Sequence, residues 1–146
     1  MISVQKKCWK TQFGGLQKKM KKVVKFGGSS LASAEQFKKV GRIIRKDESR
    51  RYVIPSAPGK RTPDDTKVTD MLYSCYSLAS MGDEYEEEFE AQLAAIRDRY
   101  DAIISGLGLS VCLDDEFKAI RTNFTGKTGR DYAASRGEYL NGIIMA

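Results

Sequence analysis

The sequence predicts an α/β fold with a mainly parallel sheet, and three observations predict it. Val23-Val24-Lys25-Phe26 and Tyr52-Val53-Ile54 read as short apolar strands. One amphipathic helix fills the space between them, and a strand–helix–strand succession makes the two strands parallel neighbours. Helical segments then follow one another to the last residue.

Each element has its own signals. The strand at residues 23–26 reads as buried and runs into Gly27-Gly28-Ser29-Ser30. The helix at 33–46 opens on Ser33, with Gln36 completing a capping box. Phe37, Val40, Ile43 and Ile44 form its apolar face, and Arg42, Arg45 and Lys46 sit at its end, where the helix dipole favours cations. The second strand, 52–54, closes at Pro55. Residues 56–65 carry Pro58, Gly59, Pro63, Asp64 and Asp65 and read as a loop.

A helix is expected at 68–81, with Met71, Leu72, Cys75, Leu78 and Ala79 inward and Gly82 ending it. The next, 83–105, turns Tyr85, Phe89, Leu93, Ile96, Tyr100, Ile103 and Ile104 to the core. The acids from Asp83 to Glu90 crowd its first turns and read as a solvated face favoured by the dipole, not a metal site. Helices at 113–124 and 131–145 flank a turn at 125–129. Two strands do not make a stable sheet alone, and a parallel sheet needs both faces covered. The chain therefore reads as the front portion of a larger α/β domain, cut before the rest of its sheet.

Composition narrows the class. The 146 residues suffice for one domain with a core, and 41% hydrophobic against 30% charged content fits a soluble globular chain. The net charge of +6 suggests nucleic acid or membrane until its position is read. Lys6, Lys7, Lys10, Lys18 and Lys19 supply five of those charges, and no acid accompanies them. Residues 1–19 are thus a basic leader, read as disordered or as a start placed too early, and residues 20–146 are nearly neutral. Trp9 and Phe13 among the lysines leave a weak surface contact with membrane or RNA as the rival reading. No run is long enough for a secretory signal or a membrane span. Cys8, Cys75 and Cys112 are isolated and histidine is absent, which fits a reducing cytoplasm and excludes histidine chemistry.

Three segments carry candidate chemistry. The strand–Gly-Gly–Ser–helix arrangement around Lys25 suits an anion such as phosphate, because glycines admit backbone N–H groups close to an oxyanion and a helix start is positive. The loop from Ser56 to Arg61 follows a strand end, where ligands sit in open α/β sheets, and Ser56 and Thr69 offer hydroxyls. Simple turn chemistry explains it equally well. Ser135-Arg136-Gly137-Glu138 lies in an apolar helix, so Glu138 either faces solvent or awaits a substrate ammonium. Phe124-Thr125-Gly126-Lys127-Thr128 is not a Walker loop, since Arg121 stands where the first glycine belongs and no strand precedes it.

Together the three segments resemble the aspartokinases of the amino-acid kinase family. Val23-Val24-Lys25-Phe26-Gly27-Gly28-Ser29-Ser30 resembles the family's opening signature. Ile54 to Arg61 with Lys67-Val68-Thr69-Asp70-Met71-Leu72 is similar to its second strand and substrate loop, and Ser135 to Asn141 to its Gly-Glu segment. The resemblance spans residues 20–146 and implies the N-terminal, substrate-binding part of an αβα three-layer sandwich. It implies phosphoryl transfer from MgATP to the side chain of L-aspartate, early in lysine, threonine and methionine biosynthesis. Lys25 would neutralise the phosphoryl charge, and Phe26, Gly27, Gly28 and Ser29 would cradle it. Ser56 and Thr69 would contact aspartate, and Glu138 would pair with its ammonium. No protein metal ligand, nucleic acid or membrane is implied, and the full-length parent is expected to be a cytoplasmic homo-oligomer.

Two departures qualify this. Pro55 removes a ladder donor at the strand end. The family's later Gly-Gly-Ser-Asp segment and most of its nucleotide-binding half are absent, so the chain alone is expected to be inactive. The alternatives are a non-catalytic interaction module and another amino-acid kinase.

Overall fold

A computed structural model describes residues 20–146, and the leader, with Cys8, Trp9 and Phe13, lies outside the described residues. The first strand, β1 (Lys22–Phe26), pairs in parallel with β2 (Arg50–Pro55). The register runs Val23↔Tyr52 to Phe26↔Pro55, with an irregularity after Lys22. Between them lie a short 3-10 turn, Gly28–Leu31, and helix α1 (Ala34–Arg45). The Ser33 hydroxyl accepts the Gln36 N–H at 3.5 Å, the predicted cap.

Helices α2 (Val68–Met81), α3 (Glu86–Leu107), α4 (Asp114–Thr125) and α5 (Arg130–Met145) follow. Helix α2 packs on α3, α4 and α5, α1 lies along α3, and α5 reaches β2. Their apolar stripes meet in one core, in which Leu72, Phe89, Ile96, Tyr100, Phe124 and Leu140 are wholly buried. Phe124 stands edge-on to both Tyr76 and Tyr132, a favoured aromatic geometry.

Two elements differ from expectation. The first strand is not buried, since Val23 is 62% exposed, and beside it in the second strand Tyr52 is 53% and Ile54 48% exposed. The helices bury their stripes on one another, so the core lies among them and not on the sheet. The expected helix at 83–105 begins as a 3-10 turn, Asp83–Tyr85, and becomes α-helical from Glu86. Its acids form the expected solvated face, on which Glu86 and Glu90 also receive the Arg121 guanidinium from α4. No helix among the described residues is long and apolar enough to cross a membrane.

Candidate functional site

The site begins where the two strands end together. Pro55 cannot donate, but it closes the register opposite Phe26, and the next N–H, from Ser56, donates to the Phe26 carbonyl at 3.0 Å. The ladder therefore continues past the proline. Two residues beyond β1 the loops touch, with the Gly59 N–H donating to the Gly28 carbonyl at 2.9 Å. A Cβ on Gly28 would stand 2.8 Å from the Ala57 carbonyl oxygen, and one on Gly59 would stand 2.7 Å from the Gly28 carbonyl carbon. Both positions require glycine because backbone meets backbone there. The Pro58 carbonyl then accepts the first N–H of α2, from Val68, at 3.0 Å, which serves as a cap where Lys67 offers no side-chain acceptor.

Helix α5 closes the loop from the other side. Gly137 lies against Ala57, and the Asn141 Nδ2 donates to the Ser56 carbonyl at 2.7 Å. Tyr100 of α3 donates its hydroxyl to the Gly137 carbonyl at 2.9 Å. Arg99, only 5% exposed, sends Nη2 to the Gly59 carbonyl at 2.8 Å and Nη1 to the Thr66 carbonyl at 3.2 Å, and it pairs with Asp65 at 3.0 Å. Arg61 also holds Asp65, through Nε at 2.8 Å and its backbone N–H at 2.9 Å. The Arg61 hydrogen bonds, helped by the Arg99 charge, keep the Asp65 carboxyl well below the usual carboxylate range.

These contacts wall a cleft of about 490 Å³ lined by Gly28, Ser29, Ser56, Ala57, Pro58, Gly59, Lys60, Lys67, Thr69 and Glu138. Residues from all three motif segments thus meet in one place: Gly28 and Ser29 from the first, Ser56 and Thr69 from the second, Glu138 from the third. Lys25, Phe26 and Gly27 lead up to the cleft but do not line it. Lys60 and Lys67 bring two cations, and Glu138 brings the carboxylate. Helix α2 starts at the cleft edge, between Lys67 and Thr69, and its N-terminal end favours negative charge. The arrangement suits a small ligand that carries an ammonium and one or more anionic groups. Among the described residues no group of three or more His, Cys, Asp or Glu could hold a metal ion.

The motif pattern gives no role to Lys60, Lys67, Arg99 or Asn141. The last two had a signal. Arg99 interrupts the apolar stripe of Ile96, Tyr100 and Ile103, and Asn141 follows Ala133 and Gly137 at intervals of one helical turn. Both are polar residues on buried faces, which must find partners inside.

No protein-family model matches the chain. Aspartokinase 3 of Bacillus subtilis (strain 168) is 41% identical over 100 residues, covering 66% of this chain and 20% of that protein. The crystal structure of Clostridium acetobutylicum aspartate kinase is 45% identical, with a TM-score of 0.76, over 85% of this chain and 28% of that one. E. coli aspartokinase III, in complex with aspartate and ADP, shares the fold at 23% identity and a TM-score of 0.61, over 84% of this chain and 27% of its own. The chain thus spans about a fifth of the curated relative it matches.

Proposed function

We propose that this chain, an aspartokinase segment by its likeness in sequence and fold, forms the aspartate-binding side of an aspartate kinase site. The observation that carries the reading is the meeting of Ser29, Ser56, Thr69 and Glu138 in one cleft with Lys60 and Lys67. The parent activity is ATP-dependent phosphorylation of L-aspartate to 4-phospho-L-aspartate, in the cytoplasm, on the route to lysine, threonine and methionine. Residues 20–146 are the N-terminal, substrate-binding part of its kinase domain, and the parent is a homo-oligomer. The chain spans just over a quarter of the neighbouring aspartate kinase structure.

Glu138 receives the substrate ammonium, and Ser56 and Thr69 orient its polar groups. The Gly28–Ser29 backbone and hydroxyl face the side-chain carboxylate, and Lys25, at the strand end outside the cleft lining, would meet the group transferred to it. Their work is positioning and charge stabilisation, with no covalent step on the protein. When bound, MgATP supplies the phosphoryl group. Mg²⁺ would take its ligands mainly from phosphate oxygens and water, as it commonly does, since Glu138 is the one carboxylate among the described residues that line the cleft.

The test is substitution within a complete aspartokinase that carries this segment. Lys25→Ala should cut kcat by about two orders of magnitude or more, as loss of a transition-state charge contact does. Glu138→Ala should chiefly raise KM for aspartate. Near-normal kinetics in both variants would overturn the reading. The exposed Val23, Tyr52 and Ile54 favour a second reading, an interaction module that pairs through its sheet. A stable monomer in light scattering counts against it.

A further inference from the structure

Arg99 is the buried charged residue for which the proposed chemistry has no direct use. A buried ion pair is weak evidence of stabilisation, since well-packed apolar residues often serve as well. Arg99 even leaves its own Nε buried without a partner. What distinguishes it is where its other nitrogens go. They reach the Gly59 carbonyl, the Asp65 carboxylate and the Thr66 carbonyl, which stand at the two ends of one loop. Lys60 follows the first end and Lys67 follows the second, and both line the cleft. Little else spans the loop internally. Lys60 donates to the Pro63 carbonyl at 3.1 Å, Asp65 donates its N–H to the Thr62 carbonyl at 3.2 Å, and Arg61 holds Asp65.

We propose that Arg99 is a positioning residue that clamps both ends of the 59–66 loop from α3, holding Lys60 and Lys67 at the cleft for the anionic groups of its ligand. That the ligand is L-aspartate rests on the function proposed above. A planar guanidinium can bridge three acceptors at once, whereas a lysine ammonium at the same site reaches fewer of them. Arg99→Met should therefore release the loop, and Arg99→Lys should release it in part.

The experiment uses the 146-residue chain and two readouts. Amide exchange at Gly59 and Val68, whose N–H groups close the loop base, should quicken about tenfold in Arg99→Met, while amides inside α2 and α3 keep their rates, as expected of local opening. Arg99→Lys should fall between. L-Aspartate affinity, read by chemical-shift titration, should weaken roughly tenfold in Arg99→Met and partly recover in Arg99→Lys, the loss of hydrogen bonds to a charged group having that scale. Unchanged loop exchange overturns the clamp, as does quickening shared equally by the core. A freed loop with unchanged aspartate affinity overturns the link to the cleft. If Arg99→Met fails to fold, Asp65→Asn, which removes the ion pair but keeps both carbonyl bonds, carries the same readouts with a smaller effect. Failure of the unsubstituted chain to bind aspartate would count against the proposed function, while loop exchange still decides the clamp.

Discussion

Gly137 and Ala57 meet so closely that a Cβ on the glycine would lie 2.5 Å from the alanine Cβ, and 3.3 Å from Leu72 Cδ1. The contact joins α5 to the loop after β2, one residue before Glu138, which lines the cleft. By helix propensity alone, Gly137→Ala should stabilise α5 by about 1 kcal/mol. The contact reverses that sign, because the alanine methyl meets another methyl rooted in backbone. Overpacking of this kind costs about 1–3 kcal/mol. Because a Cβ on Gly137 would meet a backbone-rooted atom at 2.5 Å, we expect the overpacking to outweigh the propensity gain and Gly137→Ala to lower the urea midpoint, with a net loss of up to about 2 kcal/mol. A midpoint equal to or above that of the unsubstituted chain would contradict the contact.

This glycine also marks how far the sequence could be read. The helices were readable because each has a strong 3.6-residue stripe and clear ends. Helix α2, for instance, runs from Val68 to Met81 as predicted and stops at Gly82. Strand burial was not readable, because apolar runs such as Val23-Val24 look the same whether or not a helix covers them. The motif segments contain Ser29, Ser56, Thr69 and Glu138, and the convergence of these residues is a product of tertiary packing. The supporting shell escaped because its bonds join residues far apart in sequence: Arg99 to Gly59, Tyr100 to Gly137, Asn141 to Ser56. Periodicity flags such residues as buried and polar without naming their partners.

Asp47 and Asp65, together with Asp114, which Arg97 holds below the usual carboxylate range, shape the acid limb of stability. Asp47 accepts from Lys22 Nζ at 2.8 Å and from the Ser49 hydroxyl and N–H, and these bonds hold its carboxyl well below the usual range. Asp65 is held down likewise by Arg61 and Arg99. A carboxyl whose pKa is depressed in the folded state stabilises the fold above its unfolded value of about 3.9, and that contribution is lost as pH falls below it. Denaturant midpoints should therefore drop steadily below about pH 4. Asp65→Asn should lower the plateau at pH 7 by about 1–3 kcal/mol, the scale for hydrogen bonds to charged groups, and should flatten the acid limb. An acid limb as steep as that of the unsubstituted chain would contradict the assignment.

The two described cysteines should behave oppositely. Cys75 is wholly buried in the core, and Cys112 is exposed. Burial, followed by the charge of Glu90, pushes the Cys75 thiol up to about 12. Only the thiolate attacks, so its reactivity near neutrality is suppressed by both access and ionisation. With a thiol reagent at pH 7, peptide mass mapping should find Cys112 labelled at least about a hundredfold faster than Cys75, given how reactivity tracks thiolate fraction. Cys75 should label only when denaturant unfolds the chain. Equal rates in the native chain would show that the α2–α3 interface opens.

Asn141 gives the sharpest electrostatic test of the α5 contact. Its Nδ2 donates to the Ser56 carbonyl, while its Oδ1 is buried without a partner. Asn141→Ala removes the donor and strands the Ser56 oxygen, at a cost of about 1–3 kcal/mol. Asn141→Asp is more telling, because an ionised carboxylate would turn an acceptor toward an acceptor in a site with no water-exposed surface. The folded state would then keep that carboxyl protonated, with a pKa raised above its unfolded value. Such a group binds more protons folded than unfolded, so stability falls as pH rises through the unfolded value toward the folded one. The deficit of Asn141→Asp against the unsubstituted chain should therefore be small at pH 4 and grow by about 1.4 kcal/mol for each pH unit until the folded pKa is reached. Denaturation curves at pH 4, 5, 6 and 7 measure it. A deficit independent of pH would mean that the side chain leaves its buried position and that the Ser56 contact does not hold α5 to the loop.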